Sequence, residues 1–447
     1  MANSTIVEPF LSSWGTAPLE LTRMKEYNAS PPWKVIFLLL VPVYLAVIEY
    51  LRFERVRRMH KKFPYSTRES LSKMTVDDAF LIQRYIAELE FPAFYEKGLQ
   101  FPLFKTYGLP SMSRLLVQTK ELSKPTSATK RLADTVILIT EFIANPPRSE
   151  RTLNAIARMN YIHSLYQKPG LITQDDLLYT LGLFAIEPIR WINRFEWRQL
   201  TDMERCAFGI TWKSIGDAMG IEYAGRLSCV DEDGHGTWTD GLHWLEDVTA
   251  WCDQFEESHL VPDPNNKEIA DLSVDLILWN IPARFKRYGR KIITVLMDER
   301  LRKAVMYPAP PAHYVTLTMT FLRVRKFIMR HLMPPRPTFL RRHDLHDTAD
   351  PQTGRYTFRN FLDHPWYVKP SFLGRWGVGS WFTRLLGGTL PGGEGGGFFR
   401  PQGYAIGELG PMRYEKMGKR ETIEETRRLG QQRAAGSSGG GCPFKMG

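Results

Sequence analysis

The sequence predicts a mainly α fold, with one membrane-crossing helix near the N-terminus and a helical body behind it. Three observations carry that expectation. Apolar residues recur every three to four positions through most of the body, while runs that alternate apolar and polar are rare. Helix-start residues precede those periodic stretches, and Pro or Gly follows them. One stretch, residues 33–51, is apolar almost throughout.

That stretch, WKVIFLLLVPVYLAVIEYL, comes close to the ~20 apolar residues a spanning helix needs. Its charges sit at the ends, where Lys34 can reach outward and Glu49 lies within a turn of the boundary. Trp33 and Tyr50 stand where interface anchors belong, and Pro42 is tolerated in such a helix. Behind it come Arg52, Arg55, Arg57, Arg58, Lys61 and Lys62 against Glu54 alone. Ahead of it, Arg23 and Lys25 are offset by Glu8, Glu20 and Glu26. The positive side faces the cytosol, so the expected topology is single-pass, with a lumenal N-terminus and a cytosolic body. The late start, the lack of a small-residue cleavage site and the reversed charge bias argue against a cleaved signal peptide. Asn3-Ser4-Thr5 and Asn28-Ala29-Ser30 are glycosylation sequons on the outer side, which makes a glycoprotein the expectation. The alternative for residues 33–51 is a buried core helix.

The body divides by composition. Residues 1–32 precede the span, 52–74 form a basic linker, 75–345 carry the helical pattern of the main domain, and 346–447 are rich in Pro, Gly and Arg. Thr75 is a predicted N-cap, with Asp77 and Asp78 in the first turn. A long helix is expected from Ser127 to Asn145-Pro146-Pro147. The next starts at Ser149 and stops near Pro169-Gly170. Thr173 caps another, which Pro188 should kink before RWINRFEWRQL. Thr201 and Glu204 have capping-box spacing, and Gly220 ends that helix. Further helices are expected near 240–257, 268–280, 284–304 and 314–332. Beyond about residue 334, irregular structure and a partly mobile tail are expected.

The charge balance and motifs exclude several functions. The chain carries +11, and residues 281–345 alone hold 15 Lys and Arg against 3 Asp and Glu. No nucleic-acid-binding motif accompanies this excess, so an anionic membrane surface is the better partner than nucleic acid. The four cysteines, Cys206, Cys229, Cys252 and Cys442, are scattered without metal-finger spacing. The Gly runs lack a P-loop pattern, and no GxSxG supports a hydrolase.

One histidine stands out. In RMNYIHSLYQ, His163 shares a helix face with Thr152, Ile156, Met159 and Tyr166. It is either a satisfied core residue or a ligand. The preceding helix sets Arg131 and Thr135 on one face with Leu138 and Phe142. A salt bridge from Arg131 to Asp134 is one explanation. A shared pocket is the other, with His163 as the axial ligand of a haem and Arg131 and Thr135 steadying bound dioxygen or a propionate. Glu187, Arg190, Arg194 and Arg198, with Trp191 and Trp197, either bridge helices or grip propionates. His343, Asp344, His346 and Asp347 lack the helical His pair of a zincin. Residues 231–244 lack EF-hand spacing.

With these residues in view, the chain resembles the ER-bound oxygenases of the mpaB type, which belong with the rubber oxygenases (latex clearing proteins). The resemblance runs from the span to about residue 345. FPYSTRES, ELEFP, FKTYGLPS, KRLADT, SERTLNAIARMNYIHSLYQKPG, LLYTLGLFAIEPIRWINRFEWRQLTDMERCAFGITWKSIGDAMGI and DGLHWLED carry it. Toward the rubber oxygenases only the Arg…Thr…His skeleton remains. The resemblance implies haem b with its iron bound by His163, and Arg131 and Thr135 on the distal side. Where some rubber oxygenases have a lysine between those two, this chain has Asp134, so a lysine-capped iron does not carry over. Glu121 and Glu141 are the candidates for an acidic catalytic residue. The implied activity is dioxygen-dependent cleavage of an isoprenoid C=C bond in a prenylated, meroterpenoid-like compound of secondary metabolism, at the ER membrane. Two alternatives stay open. One is a non-haem iron oxygenase drawing on His235, His243 or His259. The other is a membrane-anchored isoprenoid-binding protein without catalysis. Cys442 is a further possible haem ligand.

Overall fold

The computed structural model describes residues 32–122, 125–231, 233–359, 361, 364–385, 389–393 and 397–435. The two sequons and Cys442 lie outside them. The chain divides into two compact units, Met1–Val47 and Ile48–Gly447. Helix α1 (Pro32–Lys62) begins in the first and ends in the second. Its apolar part is long enough to cross a membrane, and Ile36, Phe37 and Leu38 are exposed.

The second unit is helical. Among the described residues it contains only isolated β-bridges, between Leu345 and Phe358 for example, and no longer strand. In order come α2 (Arg68–Leu71), α3 (Val76–Tyr85), α4 (Pro92–Thr106), α5 (Pro110–Thr119), α6 (Pro125–Ala144) and α7 (Glu150–Gln167). Then follow α8 (Gln174–Phe195), α9 (Asp202–Ala218), α10 (Gly241–His259), α11 (Pro264–Ile277), α12 (Ala283–Leu296) and α13 (Glu299–Ala304). The last are α14 (Ala312–His331), α15 (Phe372–Trp376), α16 (Val378–Leu385) and α17 (Lys419–Ala435).

The caps explain most helix starts. The Thr75 hydroxyl accepts from Asp78 N and the Ser149 hydroxyl from Thr152 N. Thr173 with Asp176 and Thr201 with Glu204 form reciprocal capping boxes. Gly170 and Gly220 take positive φ, +73° and +67°, where a helix stops. One departure from the sequence reading is local: the predicted helix after Thr75 changes pitch into a π-turn at Ile86–Glu90. Helix α8 runs from Gln174 to Phe195 with Pro188 inside it.

Helix α8 is the core. It packs on α4, α9 and α10, and its residues from Leu177 to Phe195 are mostly buried. Gly98 permits the α4 contact, since a Cβ there would collide with the Pro188 backbone. Gly209 and Gly241 do the same where α9 meets α10.

The C-terminal region differs most from expectation. Its backbone is largely irregular as far as Gly418, but its described residues pack on α6 and α7 and end in the 17-residue α17. Buried Arg158 on α7 donates to the carbonyls of Leu409 at 2.8 Å, Tyr414 at 2.9 Å and Met417 at 2.7 Å. Tyr404 Oη donates to Glu141 at 2.5 Å. Composition suggests a loose tail, yet single Arg and Tyr contacts over long sequence separations tie this region to the helices.

Candidate active site

The pocket is built on the hairpin of α6 and α7. Asn145 Nδ2 donates to the Glu141 carbonyl at 2.8 Å, and Thr152 Oγ1 to the Pro146 carbonyl at 3.0 Å, which fixes the turn between the helices. The two helices pack on one another, and both face a cavity of about 430 Å³. Leu138, Phe142, Met159, Phe184, Trp212 and Ile215 give it apolar walls. That size and lining suit an organic ligand.

Arg131, Thr135 and His163 all line this one cavity. Thr135 lies one turn after Arg131. Its hydroxyl donates to the Arg131 carbonyl at 2.8 Å and accepts from the Arg131 guanidinium. The hydroxyl thereby holds the guanidinium along the cavity wall. His163 lies on the facing helix, and among the described residues its ring makes no hydrogen bond. Burial pushes its pKa down to about 4, and the Arg131 charge adds to the shift. The imidazole is therefore neutral near pH 7, the form that binds metal. Trp212 adds a buried indole N–H without a partner among the described residues. Tyr107 also lines the cavity. Its hydroxyl is hydrogen-bonded with Ser273, and burial raises its pKa.

Asp134 does not pair with Arg131. It turns away from the cavity and binds Lys130 Nζ at 2.5 Å, Tyr367 Oη at 2.9 Å and Gly410 N at 3.0 Å. In sequence, Arg131 at three residues and Lys130 at four are both within reach. Lys130 shares the buried back face, so it wins. Glu141 lies off the cavity, held by Arg151 at 2.7 Å, Asn145 and Tyr404. Glu121 lies off it too and faces Arg413 at 3.7 Å.

Arg190 bridges α8 to α10, and Arg198 ties the segment after α8 to α9. Arg190 pairs with Glu187 at 3.1 Å and Asp253 at 2.9 Å, and Arg198 pairs with Glu204 at 2.7 Å. Arg194 lies over the Phe195 ring at 5.0 Å. None of the three lines the cavity. His235, His243 and His259 do not converge, and no group of three or more His, Cys, Asp or Glu able to hold a metal ion exists among the described residues. His343 faces Glu88 at 3.8 Å rather than a metal cluster.

Sequence reading missed one wall. Glu88, on the π-turn, lines the cavity together with Arg342, Asp344, Phe358 and Phe361. Arg342 pairs with Glu96 at 2.5 Å and Asp344 at 3.0 Å, making a charged rim. A π-turn inside a helix often marks a functional site, but no local residue pattern announced this one.

No family model matches the chain. Individual proteins do. It is 40% identical over 425 residues to the ER-bound oxygenase mpaB′ of Penicillium brevicompactum, covering 95% of this chain and 97% of that protein. It is 39% identical over 373 residues to the ER-bound oxygenase mpaB of the same fungus, covering 83% and 87%. The mpaB of Penicillium roqueforti matches at 43% over 296 residues, covering 66% of this chain and 98% of that one. The longest of these matches must run well past residue 345, into the region where the sequence alone offered no family signal. With such identity across nearly the whole of both chains, and a buried cavity suited to an organic substrate, this chain belongs to the mpaB-type ER-bound oxygenases and is an oxidoreductase.

Proposed function

We propose that the protein is a haem b oxygenase, anchored in the ER membrane by α1, that cleaves an isoprenoid C=C bond in the side chain of a prenylated compound. The observation that carries this reading is the unpartnered, neutral ring of His163, which shares an apolar cavity with Arg131 and Thr135. The ring is half-buried and opens onto the cavity, so a nitrogen with no protein partner among the described residues is available to a group bound there. The residues fit haem: one nitrogen ligand, apolar walls, and a cationic and a hydroxyl group on the facing helix. Bound through His163, haem supplies the dioxygen chemistry.

The chain's residues do the rest. The apolar walls exclude water and seat the prenyl chain. Arg131 offers a fixed positive charge to developing negative charge on oxygen, and Thr135 holds it there. Cleavage to two carbonyl groups places one atom of dioxygen on each alkene carbon, so no external reductant is needed. The apolar substrate partitions into the bilayer, where an anchored enzyme meets it at raised concentration.

The test is the absorption spectrum of the detergent-solubilised protein beside that of His163→Ala. A Soret band in the wild type, lost in the variant, is expected. A band in both moves the ligand elsewhere, and Cys442 is then the next position to substitute. If neither shows a band after haem supplementation, the haem reading fails. Iron analysis and a turnover assay then separate the non-haem oxygenase from the isoprenoid-binding protein.

A further inference from the structure

Helix α14 leaves an apolar stripe open. Leu317, Phe321, Val324 and Ile328 recur at helical spacing and share a face, with Leu317 68% and Phe321 67% exposed. A stripe of this kind marks an interaction surface. Its surroundings are basic: Arg323, Lys326 and Arg330 lie on the same helix, and α12, which packs against it, adds Arg284, Lys286 and Arg287. Helix α16 repeats the pattern. Val378, Trp381, Phe382 and Leu385 share a face and are 59% to 79% exposed, and Arg384 lies over the Trp376 ring at 4.7 Å.

A second observation ties α14 to one place. Arg52 donates to the carbonyls of Met333, at 2.6 Å, and Pro334, just beyond the end of α14. Arg55 donates to the Arg336 carbonyl, and Arg330 pairs with Glu49 at 3.6 Å. Residues 49–55 are where α1 leaves its apolar run. The C-terminal end of α14 is thereby fastened to the segment that follows the apolar run.

We propose that α14 is a second membrane-binding surface that lays the catalytic body against an anionic leaflet. The inference rests on reading α1 as a membrane anchor. The occupant is anionic phospholipid: the stripe enters the acyl boundary and the cations meet the headgroups. Ile277 lines the cavity and is 53% exposed, so the cavity reaches the surface just ahead of α12. An apolar substrate then passes from leaflet to cavity along apolar surface.

The test uses the full chain in nanodiscs of phosphatidylcholine, alone or mixed with phosphatidylserine at about 7:3. An environment-sensitive fluorophore is attached at Leu317→Cys or Phe321→Cys, with Glu424→Cys on α17 as control. The unsubstituted chain, labelled in parallel, corrects for native cysteines. Emission at the first two positions should shift to the blue and fall about twofold with doxyl-labelled lipid, more so with phosphatidylserine, while Glu424→Cys stays unchanged. Water-like emission at Leu317→Cys and Phe321→Cys overturns the inference. So does a blue shift without doxyl quenching, which assigns the stripe to a second copy of the chain. Carbonate extraction of native membranes tests the anchor separately. A chain that resists extraction but keeps water-like labels refutes the docking surface alone, whereas an extracted chain refutes the anchor itself.

Discussion

Replacing Asp134 by Ala probes the interaction that fastens the pocket helices from behind. The carboxylate is 0% exposed and takes donors from Lys130, Tyr367 and Gly410. Lys130 is 1% exposed, and its remaining partners among the described residues are the Gly410 carbonyl at 3.4 Å and Glu415 at 3.7 Å. Removing the carboxylate strands a buried ammonium, which costs about 3–5 kcal/mol. Tyr367 and Gly410 lose an acceptor as well, at about 1 kcal/mol or more each. These losses overlap, so the expected destabilisation is roughly 4 kcal/mol. The double variant Lys130→Met/Asp134→Leu removes both charges and should recover about half of that loss. Urea unfolding in detergent, followed by Trp fluorescence, measures both. The argument fails if Asp134→Ala stays within about 1 kcal/mol of wild type, or if the double variant is no more stable than the single one.

Three further outcomes are expected. Arg131→Ala and Thr135→Ala should keep bound haem and lower kcat by about 10- to 100-fold, the usual scale for losing one preorganised group; unchanged kcat in both would remove them from the reaction. Acid should weaken the cofactor-free protein through His163. Its folded pKa of about 4 lies below the unfolded value, so this contribution is complete above pH 6.5 and is lost as the pH falls through about 4, by roughly 3 kcal/mol. His163→Phe should flatten that acid limb, and superimposable urea midpoints across the window would contradict the assignment. Gly209→Ala drives a methyl into the Gly241 carbonyl and should lower stability by about 2 kcal/mol or more; thermal melting within 1 °C of wild type would show that α9 and α10 can separate freely.

The helices were legible because their signals are local. A cap needs four residues, and Thr75, Ser149, Thr173 and Thr201 each carry theirs within that span. The convergence of Arg131, Thr135 and His163 on one cavity was legible too, from helical periodicity on either side of a short Pro-containing turn. The partner of Asp134 was not. That choice depends on Gly410, 276 positions away, and on which face of α6 the C-terminal region covers. The wall formed by residues 342–361 was hidden for the same reason, since irregular backbone has no period to read. Arg158 carries no local signal of its role. It is the hub that collects three carbonyls from residues 409–417.

The C-terminal clasp on α6 and α7 also orders events during biosynthesis. The ribosome releases α1 early. Lys130 and Asp134 follow soon afterwards, but Tyr367 and Gly410 are made 233 and 276 residues after Asp134, and the carbonyls that receive Arg158 come as late. Until they emerge, the nascent chain holds two buried-to-be charges on an uncovered helix. The pocket is thus closed from behind only once residues 409–417 have been made, and a premature stop codon near residue 400 would leave the back of α6 and α7 unlatched.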